Sequence, residues 1–126
     1  MRLARALTAA LLVAAPALAA APARPAATID GAAALGHVER LVAIGPRPAG
    51  SPASARARKY IVDQLAAAGV KAQVQPFDAD TPHGRLRMAN IVAVLPGRRA
   101  DVVMFSGHYD TKWFRDIRFV GANDGG

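Results

Sequence analysis

Apolar and polar positions alternate along this chain in two distinct periods, and the periods change at glycine, proline and serine. Behind Asp30, the positions Leu35, Val38, Leu41 and Val42 recur at helical spacing. Asp30 is an N-cap residue type, so a helix is predicted from there to near Gly45-Pro46, with those four side chains inward. The next eight residues, GPRPAGSP, hold three prolines and two glycines and exclude regular structure. This segment is expected only to set the angle between two helices, with no chemistry of its own. Ser51 or Ser54 can cap a second helix whose inward positions are Tyr60, Ile61, Leu65 and Ala68. Gly69 then supplies the left-handed residue that ends it.

Beyond Gly69 the period falls to two. Val70, Ala72 and Val74 alternate with polar residues and predict a half-buried strand. Thr81-Pro82-His83-Gly84 reads as a turn. Leu86 to Leu95 reads as a second strand, and its apolar run Ile91–Leu95 suggests cover on both faces. Pro96-Gly97-Arg98-Arg99 turns the chain into a third strand, Asp101 to Ser106. The expected fold is therefore α/β: an incomplete mixed sheet flanked by helices, cut off after a loop that begins at Ser106. In such sheets ligands gather beyond the carboxyl ends of strands, where this loop lies.

Composition changes the picture at the N-terminus. Arg2 and Arg5 precede an apolar run from Ala6 to Ala15, and Ala17-Leu18-Ala19 fits a small-x-small cleavage site. Residues 1–21 are read as a secretory signal peptide, residues 22–29 as an Ala/Pro-rich linker and residues 30–126 as the N-terminal part of a folded domain. Export to the periplasm or the medium follows. The apolar run is shorter than the roughly 20 residues that span a bilayer, so no stable membrane anchor is expected. The net charge is +7, but the arginines are scattered and not interleaved with aromatics, which excludes a nucleic-acid partner. With no cysteine, disulfides, thiolate catalysis and Cys-type zinc sites are excluded. A Gly-x-Ser-x-Gly elbow and a phosphate loop are both absent.

The candidate chemistry lies in SGHYDTKWFRDIRFVGANDGG, residues 106–126. Imidazole nitrogen and carboxylate oxygen hold zinc, and this stretch offers His108, Asp110 and Asp124. His108 and Asp110 are two apart, so in an extended segment their side chains share a side. By residue type alone such a cluster is more often a hydrogen-bonded loop than a metal site. Trp113 and Phe114 either line a substrate pocket or anchor the loop. His37 and His83 are read as structural or solvent-exposed, and Lys112 as solvated or locally paired.

GPRPAGSP, then TPHGRLRMANIVAVLPG, DVVMFSGHYDTKWF and FVGANDGG resemble, in order and spacing, the zinc aminopeptidase and glutaminyl cyclase superfamily of metallopeptidases. The resemblance runs from about residue 34 to 126 and covers the first part of that family's catalytic domain. Thr81-Pro82-x-Gly84, the Lys112-Trp113-Phe114 triplet and Phe119-Val120-Gly121-Ala122-x-Asp124 look like the glutaminyl-peptide cyclotransferase branch. The resemblance implies a zinc exopeptidase-like fold of the phosphorylase/hydrolase type. It implies that Asp124 is a zinc ligand and that His108 binds a second zinc in the aminopeptidases, while in single-zinc cyclases this histidine is present without ligating. Asp110 would orient His108. The cofactor is zinc, one ion if the protein is cyclase-like and two if aminopeptidase-like. The substrates are peptide or protein N-termini. The reaction is closure of N-terminal glutamine to pyroglutamate with release of ammonia, or, in the alternative, hydrolytic removal of the N-terminal residue. A third reading is a secreted binding module without activity. The family's acid/base glutamate and its remaining ligands have no counterpart in these residues, so the 126-residue chain alone is expected to be inactive.

Overall fold

The computed structural model describes residues 28–122. The leader, most of the linker and Asp124 lie outside them. Two helices precede one antiparallel hairpin: α1, Gly31–Ile44; α2, Pro52–Ala67; β1, Ala72–Thr81; β2, Gly84–Ala93. The α/β class agrees with the sequence reading.

Both helices begin where a side-chain oxygen takes over an orphan amide. The Asp30 carboxylate accepts the N–H groups of Ala32 and Ala33, each at 3.0 Å. Ser51 Oγ accepts the N–H of Ser54 at 3.1 Å, and Pro52 stands at the first helical position, where no amide is needed. The end of α2 is a Schellman motif: Gly69 N–H donates to Ala66 O, and Val70 N–H to Leu65 O. That geometry requires the positive φ of Gly69, +74°. His37 Nδ1 and the Tyr60 hydroxyl, 2.7 Å apart, tie α1 to α2.

The hairpin closes through Pro82-His83, with Thr81 opposite Gly84. Thr81 Oγ1 accepts the His83 N–H and donates to Gly84 O, so one hydroxyl organises the whole turn. The register pairs Phe77 with Met88 and Val74 with Ile91 on opposite faces. Asp78 and Asp80 face Arg87 and Arg85 across the strands, with N–O separations of 3.3 and 3.7 Å. These pairs are exposed, so each contributes on the order of 0.2–1 kcal/mol.

The structure departs from the sequence reading first in its strands. The first strand starts at Ala72, not Val70. The expected third strand, Asp101 to Ser106, does not form; its side chains Val102 to Phe105 are exposed, and Phe105 is 93% so. Apolar alternation marks side chains that favour a sheet, but a strand also needs a ladder partner about 4.8 Å away. Among the described residues neither β1 nor β2 pairs with it. For the same reason the Val92–Leu95 part of the apolar run is not covered on both faces, and Val94 and Leu95 lie past the end of β2, exposed.

Among the described residues the buried apolar set is small: Ala53, Ala57 and Ala89. Of the expected inward positions, Leu35, Val42 and Ala68 are exposed, and Val38, Leu41, Tyr60, Ile61 and Leu65 are half-buried. Residues of α2, the hairpin and the segment leading to His108, among them Ile61, Leu65, Phe77, Met88, Ile91 and Met104, line a groove of about 1010 Å³. No helix among the described residues is long and apolar enough to cross a membrane.

Two glycines separate backbone strain from steric contact. Gly50 has φ +75°, and a Cβ there would meet Leu86 Cβ at 3.2 Å; at Gly69 a Cβ meets nothing within 4 Å. Gly69→Ala is expected to cost about 1 kcal/mol from the left-handed backbone alone. Gly50→Ala should cost about 2 kcal/mol or more, because it adds the clash with the hairpin. Urea midpoints of the two variants measure the difference, and equal losses would contradict it.

Candidate functional site

Arg47 is the largest fully buried side chain, 1% exposed, and it lies in the segment expected to carry no chemistry. Its backbone and Thr111 hold each other twice. Arg47 N–H donates to Thr111 Oγ1 at 3.0 Å, and Thr111 N–H returns to Arg47 O at 3.2 Å. Its guanidinium then fans out over five backbone carbonyls. Nε donates to Tyr109 O at 2.8 Å. One terminal nitrogen donates to Leu41 O, Gly45 O and Val120 O, and the other to Gly121 O. The end of α1, the His108 loop and the Val120-Gly121 strand of coil are thereby joined at one group.

Tyr109 supplies the second anchor. Its hydroxyl donates to Ala89 O at 2.6 Å, and Arg58 reaches the same hydroxyl at 3.5 Å. The residue opposite Ala89 is Pro76, which has no N–H. The two must form a non-hydrogen-bonded pair, so the Ala89 carbonyl points away from β1 and is open to Tyr109.

Between these anchors sit His108 and Asp110, one on each side of Tyr109. His108 Nδ1 lies 2.9 Å from Asp110 O and 3.3 Å from Asp110 Oδ1. A carbonyl only accepts, so Nδ1 carries the proton and donates. In the neutral ring the lone pair is then on Nε2, the state in which an imidazole can ligate a metal. Asp110 thus meets the His108 ring through both its backbone carbonyl and its carboxylate. Among the described residues no three His, Asp or Glu side chains converge as metal donors. His108 fits a zinc donor set as one member of it, and Asp124 lies outside the described residues.

The aromatic candidates separate. Phe114 packs edge-on against Phe119, centroids 5.5 Å apart, and Lys112 Nζ sits 5.3 Å from the Phe114 centroid. Trp113 is half exposed and contacts His83 at the hairpin tip, centroids 4.2 Å apart. Sequence reasoning found the loop by residue type but missed Arg47, Tyr109 and Pro76. The available signal was an arginine between two prolines: that backbone cannot serve its neighbours' carbonyls, whereas a five-donor side chain can.

No family model matches the chain. Glutaminyl-peptide cyclotransferase-like protein of Mus musculus is 38% identical over 82 residues, 62% of this chain and 21% of that protein. Glutaminyl-peptide cyclotransferase of Drosophila melanogaster is 32% identical over 80 residues, 63% of this chain and 23% of that protein. The crystal structure of an Acidobacteriales bacterium glutaminyl cyclase is 39% identical with a TM-score of 0.71, over 83% of this chain and 38% of that one. Over the region it covers, this chain is glutaminyl cyclase-like. A Macrostomum lignano glutaminyl cyclase, 22% identical with a TM-score of 0.56 over 66% of this chain and 26% of that one, shares the fold. The chain spans about a fifth of the length of these curated relatives. Their glutaminyl cyclase names place them in an enzyme family.

The anchors differ in weight. Arg47→Met removes every guanidinium donor and leaves buried carbonyls bare, so a loss of about 3–5 kcal/mol is expected. Arg47→Lys should recover little, since an ammonium cannot fan over carbonyls from three segments. Tyr109→Phe deletes one hydrogen bond and should cost about 1 kcal/mol. Chemical denaturation of the three variants tests this order; a mild Arg47→Met would remove Arg47 from its central place.

Proposed function

We propose that this chain is the N-terminal part of an exported zinc-dependent enzyme that closes N-terminal glutamine of peptides to pyroglutamate. The observation that carries this is the 39% identity and 0.71 TM-score to a solved glutaminyl cyclase across 83% of the chain. The clamped His108–Thr111 loop supports it, because it holds an imidazole with its proton on Nδ1 beside an orienting carboxylate. Export is inferred from the leader pattern in residues 1–21.

In this reaction the substrate's α-amine forms a bond to the side-chain amide carbon, and the carbon–nitrogen bond to the amide nitrogen breaks. A proton passes from the amine to the departing nitrogen, which leaves as ammonia. Zinc, when bound, supplies Lewis-acid polarisation of the amide oxygen. Asp124 and His108 are the residues of this chain that would hold metal, with Asp110 fixing the His108 ring. The rigid loop would keep the two reacting groups together, the larger part of the acceleration in such closures. Trp113 and Phe114 would border the substrate. The zinc number, one or two, follows from whether His108 ligates.

The protein as its host makes it should release ammonia from a glutaminyl dipeptide and not free amino acid from an aminoacyl anilide. Anilide hydrolysis without ammonia release would replace the cyclase with an aminopeptidase, and neither activity would leave a binding module. The 126-residue chain by itself is expected to bind zinc only weakly in equilibrium dialysis. Tight stoichiometric zinc there would show that its own side chains complete the donor set.

A further inference from the structure

His83 has no part in the family resemblance, and its place in the fold gives it one. It occupies the two-residue turn between β1 and β2, with its N–H fixed on Thr81 Oγ1 at 3.1 Å. Its ring lies 4.2 Å from the Trp113 ring, inclined by 38°. The backbone at Thr111 is locked to Arg47, and Trp113 follows two residues later, within roughly 7 Å of chain. Phe114 turns to its own partners, Phe119 and Lys112. Among the described residues the contact with His83 is thus the one ring contact of Trp113, and the residue still remains 55% exposed.

We propose that His83 is a positioning residue, which braces one face of Trp113 from the hairpin tip so that the other face stands as a fixed wall for the peptide substrate. This rests on the cyclase reading for the identity of the substrate and on geometry for the brace. An indole presents a large rigid face at little cost in side-chain freedom, but only if its rotamer is held. Thr111 fixes where the segment starts, and His83 fixes where the ring ends up. Any flat ring at position 83 can serve, since the contact is one of ring against ring and the turn uses only the His83 backbone. Phe at 83 should therefore substitute, and Ala should not.

Trp113 is the sole tryptophan of the 126-residue sequence, so its fluorescence reports the brace without any assay of activity. In this chain His83→Ala should raise the acrylamide quenching constant about twofold, because one of two ring faces is uncovered, and His83→Phe should restore it. Quenching unchanged in His83→Ala, or no recovery in His83→Phe, overturns the brace. In the active enzyme, His83→Ala should raise KM for a glutaminyl peptide about two- to tenfold, with kcat carrying the smaller part of the loss and His83→Phe recovering it. A KM that does not move while quenching does would overturn the substrate wall. An enzyme that releases no ammonia would overturn the cyclase reading, and the quenching arm would still decide the brace.

Discussion

A single guanidinium, that of Arg47, holds together the parts of this protein that no helix or ladder connects. It is almost wholly buried and satisfies carbonyls from the end of α1, from the His108 loop and from Val120-Gly121. Burying a cation is costly unless every donor finds an acceptor. Here the acceptors are backbone carbonyls whose own orphan state would be costly too, so each side removes the other's penalty. The guanidinium suits this because it is planar, always charged and weakly hydrated. With three alanines as the buried apolar set among the described residues, this polar centre carries a large share of the loop's order.

The consequence for the site follows from alternation. Arg47 and Ala89 take hold of Tyr109 and Thr111, the residues on either side of Asp110. Beside them stand His108 and Asp110, the residues that carry the candidate chemistry. Anchoring and candidate chemistry therefore fall to alternate residues along the same four positions, 108–111. Within the loop the His108 imidazole and the Asp110 carboxylate are in contact with each other.

The helices were legible because their ends are local events. Asp30, Ser51 and Gly69 each act within a few residues, and each does what its type implies. The hairpin was legible for the same reason, through Thr81 and Gly84. The third strand and the inward faces were not, because both need a partner surface that periodicity cannot supply. Within the site, residue type pointed to His108 and Asp110 and to the aromatic neighbours. It could not show that Pro76 frees a carbonyl for Tyr109, or that an arginine 62 residues earlier reaches the loop. Asp124 stays where the sequence alone put it, an expected ligand outside the described residues.

The open groove and the clamped loop are two halves of one arrangement. Ile61, Leu65, Phe77, Met88, Ile91 and Met104 face the space that His108, Tyr109 and Asp110 also border. An apolar surface of that kind excludes water when it is covered, and in a water-poor setting a fixed imidazole and carboxylate act more strongly on charge than they do in solvent. Yet apolar cover is non-directional and tolerates small shifts, whereas donor groups at a reacting centre need placement within about 0.5 Å. A loop that took its position from apolar packing alone would be free to slide. Hydrogen bonds from Arg47 and Tyr109 fix it independently of whatever fills the groove, so the geometry at His108 is set before any apolar face is closed.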